Sequence, residues 1–335
     1  MKYMPLLFSL TLALQAASAD EVNVYSGRKE ALIKPLFDRF TEQTGIRVNL
    51  VTGNADALIK RLELEGERSP ADLLVTVDAG RLHRAKEQGL LQAITSAQLN
   101  EVVPEIYRDP QGYWYGLSIR ARVIVYARNK IEPAMLSSYE ALADPVWHNQ
   151  LCVRSSSNIY NQSLVASMLA HHGREETEKW IRGLVGNFAR DPKGGDRDQI
   201  KAVAAGQCNL ALVNTYYLAG MLSSDIDTET AAANQVALFW PNQAGRGAHV
   251  NVSGAGVTKS ARHREAAIRL LEYLAGVPAQ EWYGKTNHEF PVREGVPGGD
   301  ILQSWGEFKA DSLNLAVLGE KNQDAVRAMD RAGWK

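Results

Sequence analysis

Strand-like and helix-like runs alternate from the first residues after Asp20, and this alternation restricts the fold more than any other feature of the chain. Val22-Asn23-Val24-Tyr25-Ser26 reads as a strand, and Leu32, Ile33, Leu36, Phe37 and Phe40 then recur at helical spacing up to Gly45. Arg47-Val48-Asn49-Leu50-Val51 is the next strand, and a helix covers about Ala55 to Glu65. Asp72-Leu73-Leu74-Val75-Thr76-Val77 is a buried strand, followed by a helix from Ala79 to Gln88 that stops at Gly89. Units of this length predict an α/β fold with a parallel sheet and helices on both faces.

The rhythm changes after Pro110. The stretch GLSIRARVIVYA, with Ile119, Val123 and Val125 as apolar markers, predicts a strand crossing into a second domain. There the pattern gives strands at Gln150–Arg154, Asn209–Val213 and Val236–Trp240, and helices at Ser163–His171 and Glu175–Leu184. His249–Ser253 predicts a return crossing, and Ala266, Ile268, Leu271 and Leu274 share one helical face. The expected division is residues 20–119 plus about 244–294 in one lobe and 120–243 plus about 295–335 in the other. Two such lobes joined by crossing strands leave a cleft. Ligands of open α/β sheets sit beyond the carboxyl ends of the strands, so the residues just after each strand carry the functional argument.

Lys2, the apolar run MPLLFSLTLAL and the small-residue site Ala17-Ser18-Ala19 read as a secretory signal peptide over residues 1–19. An exported chain starting near Asp20 follows, with a periplasmic location and no membrane span in its mature part. The formal net charge is −1, and removing Lys2 with no acid gives −1 − 1 = −2. That balance excludes a dedicated nucleic-acid binder, which needs a basic stripe. The two cysteines, Cys152 and Cys208, are an even number in an exported chain and predict a disulfide rather than two buried thiols. The loop it would close is roughly 57 residues long, worth about 4 kcal/mol by the chain-entropy argument.

Two strand-to-helix turns of the second domain share a spacing. Tyr160 lies eight positions after Cys152, and Tyr216 eight after Cys208, with Tyr217 beside it in NTYYLAG. A disulfide holds its Cα atoms within about 7 Å, so equal segments leading away from it bring Tyr160 near Tyr216 and Tyr217. At a helix start, neighbouring residues are separated by about 100°, and both phenols of a Tyr-Tyr pair can reach one point. Asn214 or Thr215 would cap that helix. Three phenolates would neutralise a trivalent ion, and hard ions prefer oxygen ligands. Aromatic packing in a cleft and stacking on an organic ligand are the other readings of the same residues.

The chain resembles the periplasmic ferric-iron-binding proteins of bacterial ABC importers. The matching stretches are NVYSGRKEALIKPLFDRFTEQTGI, GLSIRARVIVYARNK, LCVRSSSNIYNQSLVASM, LALVNTYYLAG and HVNVSGAGVTKSARH, which span almost the whole mature chain. The resemblance implies a two-lobed binding-protein fold of type II topology, with two parallel-rich sheets, that closes over its ligand. It implies Fe(III) as the transported ligand, held by Tyr160, Tyr216 and Tyr217, and an inner-membrane ABC permease as partner of a monomeric binding protein. Many members add a histidine after the first strand, where this chain reads Arg28-Lys29-Glu30. The departure points to the subgroup that completes the iron shell with carbonate, a similar small anion, or water. Arg28 and Arg120 match the places where relatives hold the anion, and Arg122 lies two residues on, on the same strand face as Arg120.

Other residues carry weaker expectations. Glu30 could reach a metal from the opposing lobe, Tyr25 is expected in strand packing, and Trp114 and Tyr115 are placed along the cleft. His83 and His249 are isolated, and His171-His172 ends a helix before Gly173. The alternative function is a two-lobed binder of an organic cation or oxyanion without metal. An exported enzyme is a third reading, for which the sequence offers neither a G-x-S-x-G elbow nor zinc-hydrolase spacing.

Overall fold

The structure is a computed structural model that describes residues 20–335; the signal-peptide expectation for residues 1–19 lies outside the described residues. The expected alternation is present as β1 (Glu21–Ser26), α1 (Glu30–Thr44), β2 (Arg47–Thr52), α2 (Ala55–Glu65), β3 (Leu73–Val77) and α3 (Ala79–Glu87), followed by the short α4 (Ala97–Val102). Strands β1 and β2 are parallel, as are β1 and β3. Helix α1 buries Ile33, Leu36, Phe37 and Phe40 on one face and ends at Gly45, in the left-handed conformation that glycine adopts without strain. Gly27, in the turn after β1, lies so close to α2 that a Cβ there would meet that of Ala55 at 2.8 Å.

The strand β4 (Tyr115–Ala127) is buried along its whole length and serves two sets of partners. Its first half pairs antiparallel with β8 (Val250–Val257), with Arg120 opposite Asn251; β8 in turn joins β3. Between these strands the chain runs through β5 (Leu151–Cys152), α5 (Ile159–Gly186), α6 (Asp196–Ala204), β6 (Leu210–Asn214), α7 (Thr215–Leu222), α8 (Asp227–Asn234) and β7 (Val236–Phe239). The second half of β4 pairs with β6 and β7, with Arg122 opposite Asn214, and β5 lies parallel to β6. The strand order is β2-β1-β3-β8-β4-β6-β5. The sheets are therefore mixed: parallel at their outer strands, antiparallel where the two crossing strands enter.

After β8 come α9 (Arg264–Leu274), α10 (Val277–Lys285), β9 (Phe290–Pro291), α11 (Asp300–Ser304), α12 (Ala316–Glu320) and α13 (Asn322–Arg331). The sequence places two helices in the region of α5; they form one long element broken at Gly173, where φ is +72°. The strand expected at Gln150–Arg154 shrinks to two residues, because Val153 and Arg154 already turn toward α5. Trp114 and Tyr115, expected along the cleft, are instead core residues at 0% and 1% exposure. The Tyr115 hydroxyl donates to the Ile94 carbonyl at 3.4 Å, and burying two such rings stabilises the fold by more than lining a wet cleft would.

Cys152 and Cys208 form a disulfide with a Cα–Cα distance of 5.9 Å. It joins the end of β5 to the residues leading into β6, at the base of the two tyrosine turns. The double replacement Cys152→Ala/Cys208→Ala should lower unfolding free energy by about 2–4 kcal/mol, as for a bridge closing a long loop. Chemical denaturation of both proteins measures this; equal midpoints and slopes would show that the bridge does not support the fold.

Candidate metal centre

The two tyrosine turns converge as their spacing predicts. Tyr160 is in the first turn of α5 and Tyr216 in the first turn of α7, and the Tyr216 hydroxyl donates to that of Tyr160 at 3.1 Å. Tyr216 and Tyr217 pack ring to ring, with centroids 4.4 Å apart. All three side chains are half-buried. The disulfide ties the turns together below, and Arg122 ties them above. Its guanidinium donates to Asn161 Oδ1 at 2.7 Å, to Asn214 Oδ1 at 3.0 Å and to the Leu212 carbonyl at 3.1 Å, and it pairs with Asp196 at 3.3 Å. Asn161 follows Tyr160, and Asn214 stands two residues before Tyr216. Arg122 thus spends its fork on protein groups that position the phenols.

This bracing also changes the expected cap. Asn214 occupies the N-cap position of α7 but makes no capping bond with its side chain. Its amide is committed to Arg122 and, at 3.4 Å, to the Tyr216 hydroxyl.

Four arginines surround the phenols, each paired with a carboxylate, and Arg154 shares Asp196 with Arg122. Arg28 pairs with Glu289 at 3.0 Å, Arg120 with Asp78 at 3.3 Å, Arg81 with Asp56 at 2.7 Å and Arg154 with Asp196 at 3.5 Å. Arg120 and Arg154 both lie over the Tyr160 ring, 5.6 and 5.4 Å from its centroid. Arg28 is near enough to Tyr216, and Arg154 to Tyr217, for their charges to couple. Around the site, three buried arginine N–H groups find no partner among the described residues: Nε of Arg28, Nη1 of Arg120 and Nε of Arg122.

The Tyr216 and Tyr217 phenols resist ionisation as they stand. Burial raises the Tyr216 hydroxyl well above a phenol's ordinary pKa, and the neighbouring Tyr160 and Tyr217 push the same way, against the pull of Arg120. Burial, followed by Tyr160 and Asp196, pushes Tyr217 up to about 12. A trivalent cation inverts this balance, because coordination favours the deprotonated ligand and three phenolates offset its charge.

Other candidates lie elsewhere or are otherwise engaged. Glu30 is exposed at the start of α1. Tyr25 is buried and donates to Glu65. His171 pairs with Asp311, His172 with Glu140, and His83 is packed against Gly319. His249 is fully enclosed near Arg120 and Arg122, where burial, reinforced by those cations, holds it well below the usual histidine range. It lines a cavity of about 10 Å³, together with Asp78, Tyr160 and Asn251. Hollows of about 500 and 650 Å³ elsewhere on the surface contain none of the tyrosines, so volume does not locate the site. Among the described residues no cluster of three or more His, Cys, Asp or Glu side chains could hold a metal, which leaves the tyrosines as the hard-ligand set.

Sequence reasoning missed Asp78, Arg154 and Asp196. The first two stand just past strand ends, where the search was directed. Asp196 opens α6, and only the folded arrangement shows that its carboxylate, accepting from the Asn214 backbone N–H at 2.7 Å, joins Arg122 and Arg154.

Comparison with known proteins agrees with the geometry. Residues 68–304 match the family model of the bacterial extracellular solute-binding proteins. The chain is 48% identical over 315 residues to iron uptake protein A1 of Synechocystis, covering 94% of this chain and 88% of that one. A Trichodesmium protein in complex with iron and citrate ligands superposes with a TM-score of 0.92 at 50% identity, over 94% of this chain and 100% of that one. Ferric iron-binding protein A of Mannheimia haemolytica, in an open conformation, gives 0.88 at 39% identity, over 94% and 99%. These relatives are binding and uptake proteins rather than enzymes. The chain belongs to the bacterial extracellular solute-binding proteins and shares the two-lobed fold of the ferric-iron-binding proteins among them.

Proposed function

We propose that this protein captures ferric iron in the periplasm and delivers it to an ABC permease of the inner membrane. The observation that carries this reading is the convergence of Tyr160, Tyr216 and Tyr217, with two hydroxyls 3.1 Å apart and no competing ligand cluster among the described residues. In this reading the three phenolates hold Fe³⁺ from the second lobe, residues 120–243 plus about 295–335. The first lobe, residues 20–119 plus about 244–294, brings arginines rather than a metal ligand.

A small anion such as carbonate completes the shell, bound by Arg28 and Arg120 through the N–H groups they keep free. Because both arginines already pair with buried carboxylates, the anion is a shared rather than a sole partner. Arg122 braces the phenols from behind. The related Trichodesmium protein, in complex with iron and citrate ligands, supports an anion accompanying the iron.

Protein loaded with Fe³⁺ should be reddish, from phenolate-to-iron charge transfer. Tyr216→Phe combined with Tyr217→Phe should abolish the colour and most of the affinity. Unchanged Fe³⁺ affinity in that variant, or native protein that carries an organic molecule and no iron on metal analysis, would favour the metal-free alternative.

Affinity should rise with pH. The Tyr216 and Tyr217 hydroxyls are raised in the metal-free protein, so at neutral pH they are protonated and must release those protons as iron binds. Each proton released contributes a factor of about ten in affinity per pH unit. Acidification should therefore strip the iron, followed as loss of the visible band. Binding that does not change with pH would contradict phenolate ligation.

A further inference from the structure

Asp78 is the residue at which both crossing strands and a tyrosine-bearing helix meet. It stands between β3 and α3, fully buried, with φ at +88°, a conformation that residues other than glycine seldom hold without support. The support is its carboxylate. Oδ1 accepts from the Gly80 backbone N–H at 2.9 Å, and Oδ2 from Arg120 of β4 at 3.3 Å and from Asn251 of β8 at 3.0 Å. The hydroxyl of Ser163 donates to the same carboxylate, 2.9 Å from one oxygen and 3.0 Å from the other.

Ser163 is also fully buried and lies on α5 three residues after Tyr160, so both occupy one face of the first turns of that helix. Asp78 and Ser163 come from opposite sides of the cleft. Their contact joins the turn after β3 to the helix that carries a phenol. The neighbouring packing follows the same line: a Cβ on Gly80 would lie 3.8 Å from Ile159 and 3.9 Å from Ser163.

We propose that Asp78 and Ser163 form a latch that sets lobe closure over the tyrosines. This rests on the ferric reading of the site. A hydroxyl donating to a buried carboxylate forms only when the two sides of the cleft meet, so its free energy belongs to the closed state alone. Ser163 also cannot shift without moving Tyr160, because three residues of helix connect them rigidly. Closure thereby acts on the helix that carries the first phenol. Asp78 and Ser163 touch no metal in this account; both are positioning residues.

Ser163→Ala removes the hydroxyl, keeps a good helix former and leaves the carboxylate with its other three partners. The variant should take up Fe³⁺ with the same visible band as the parent, since the phenols are intact. It should release iron to a competing chelator roughly ten times faster or more, the scale of a lost hydrogen bond to a charged group. In an Asp78→Asn background the same replacement should add little, because its partner is already altered. Small-angle scattering of the metal-free protein should show a larger radius of gyration for Ser163→Ala than for the parent.

A coloured variant with the parent's release rate and dimensions overturns the latch and leaves the ferric reading standing. Loss of colour in Ser163→Ala alone also overturns it, by making Ser163 necessary for the ligand set itself. A parent protein that never colours with Fe³⁺ sinks the ferric reading, and the scattering comparison then decides the latch.

Discussion

Two buried arginines on one strand hold the molecule together at its centre. Arg120 and Arg122 are both about 2% exposed and, two residues apart on β4, share a face. Arg120 pairs with Asp78 of the first sheet's β3–α3 turn, and Arg122 with Asp196 at the start of α6 beside the second sheet. Each half of the molecule therefore supplies one buried carboxylate to a single crossing strand. Removing two charges from water is costly, and such pairs contribute less to stability than their Coulomb attraction suggests. Their contribution here is geometric. Arg122 also binds the amides of Asn161 and Asn214, so the two tyrosine turns take their height from one guanidinium.

Much of this was legible in the sequence. The apolar runs and their helical and strand periods place nearly every element of the first lobe, because those elements bury one face against a single sheet. The equal spacing from Cys152 to Tyr160 and from Cys208 to Tyr216 is borne out as a disulfide below and a hydroxyl contact above. What could not be read is which partners each arginine takes. Alternation puts Arg120 and Arg122 on one face, and nothing local distinguishes them. The difference arises from Asn161, Asp196 and Asn214, which lie far along the chain. Trp114 was misplaced for a related reason: a large aromatic beside a glycine-containing turn reads equally as cleft lining or as core, and only the three-dimensional packing of the region decides.

The electrostatics of the centre follow from the same pairing. Arg28, Arg81, Arg120 and Arg154 approach the phenols, and each is paired with a carboxylate. Counting Arg122, which shares Asp196 with Arg154, five arginines face four carboxylates, so the surroundings are cationic before any ligand arrives, while burial keeps the Tyr216 and Tyr217 hydroxyls protonated. A trivalent ion bound by three phenolates adds no net charge, and the charge of an accompanying anion would be met by the arginine in excess of the carboxylates. At Arg28-Lys29-Glu30 the chain has a cation, Arg28, and no histidine, which suits the anion of the proposed site.

The most direct test of the account is a crystal structure of the protein grown with Fe³⁺, with the ion located by anomalous scattering at the iron edge. The account predicts one iron within bonding distance of the hydroxyl oxygens of Tyr160, Tyr216 and Tyr217, with a small anion between it and Arg28 or Arg120. Iron bound elsewhere, or a cleft holding an organic ligand against the same tyrosines with no anomalous peak, would contradict it.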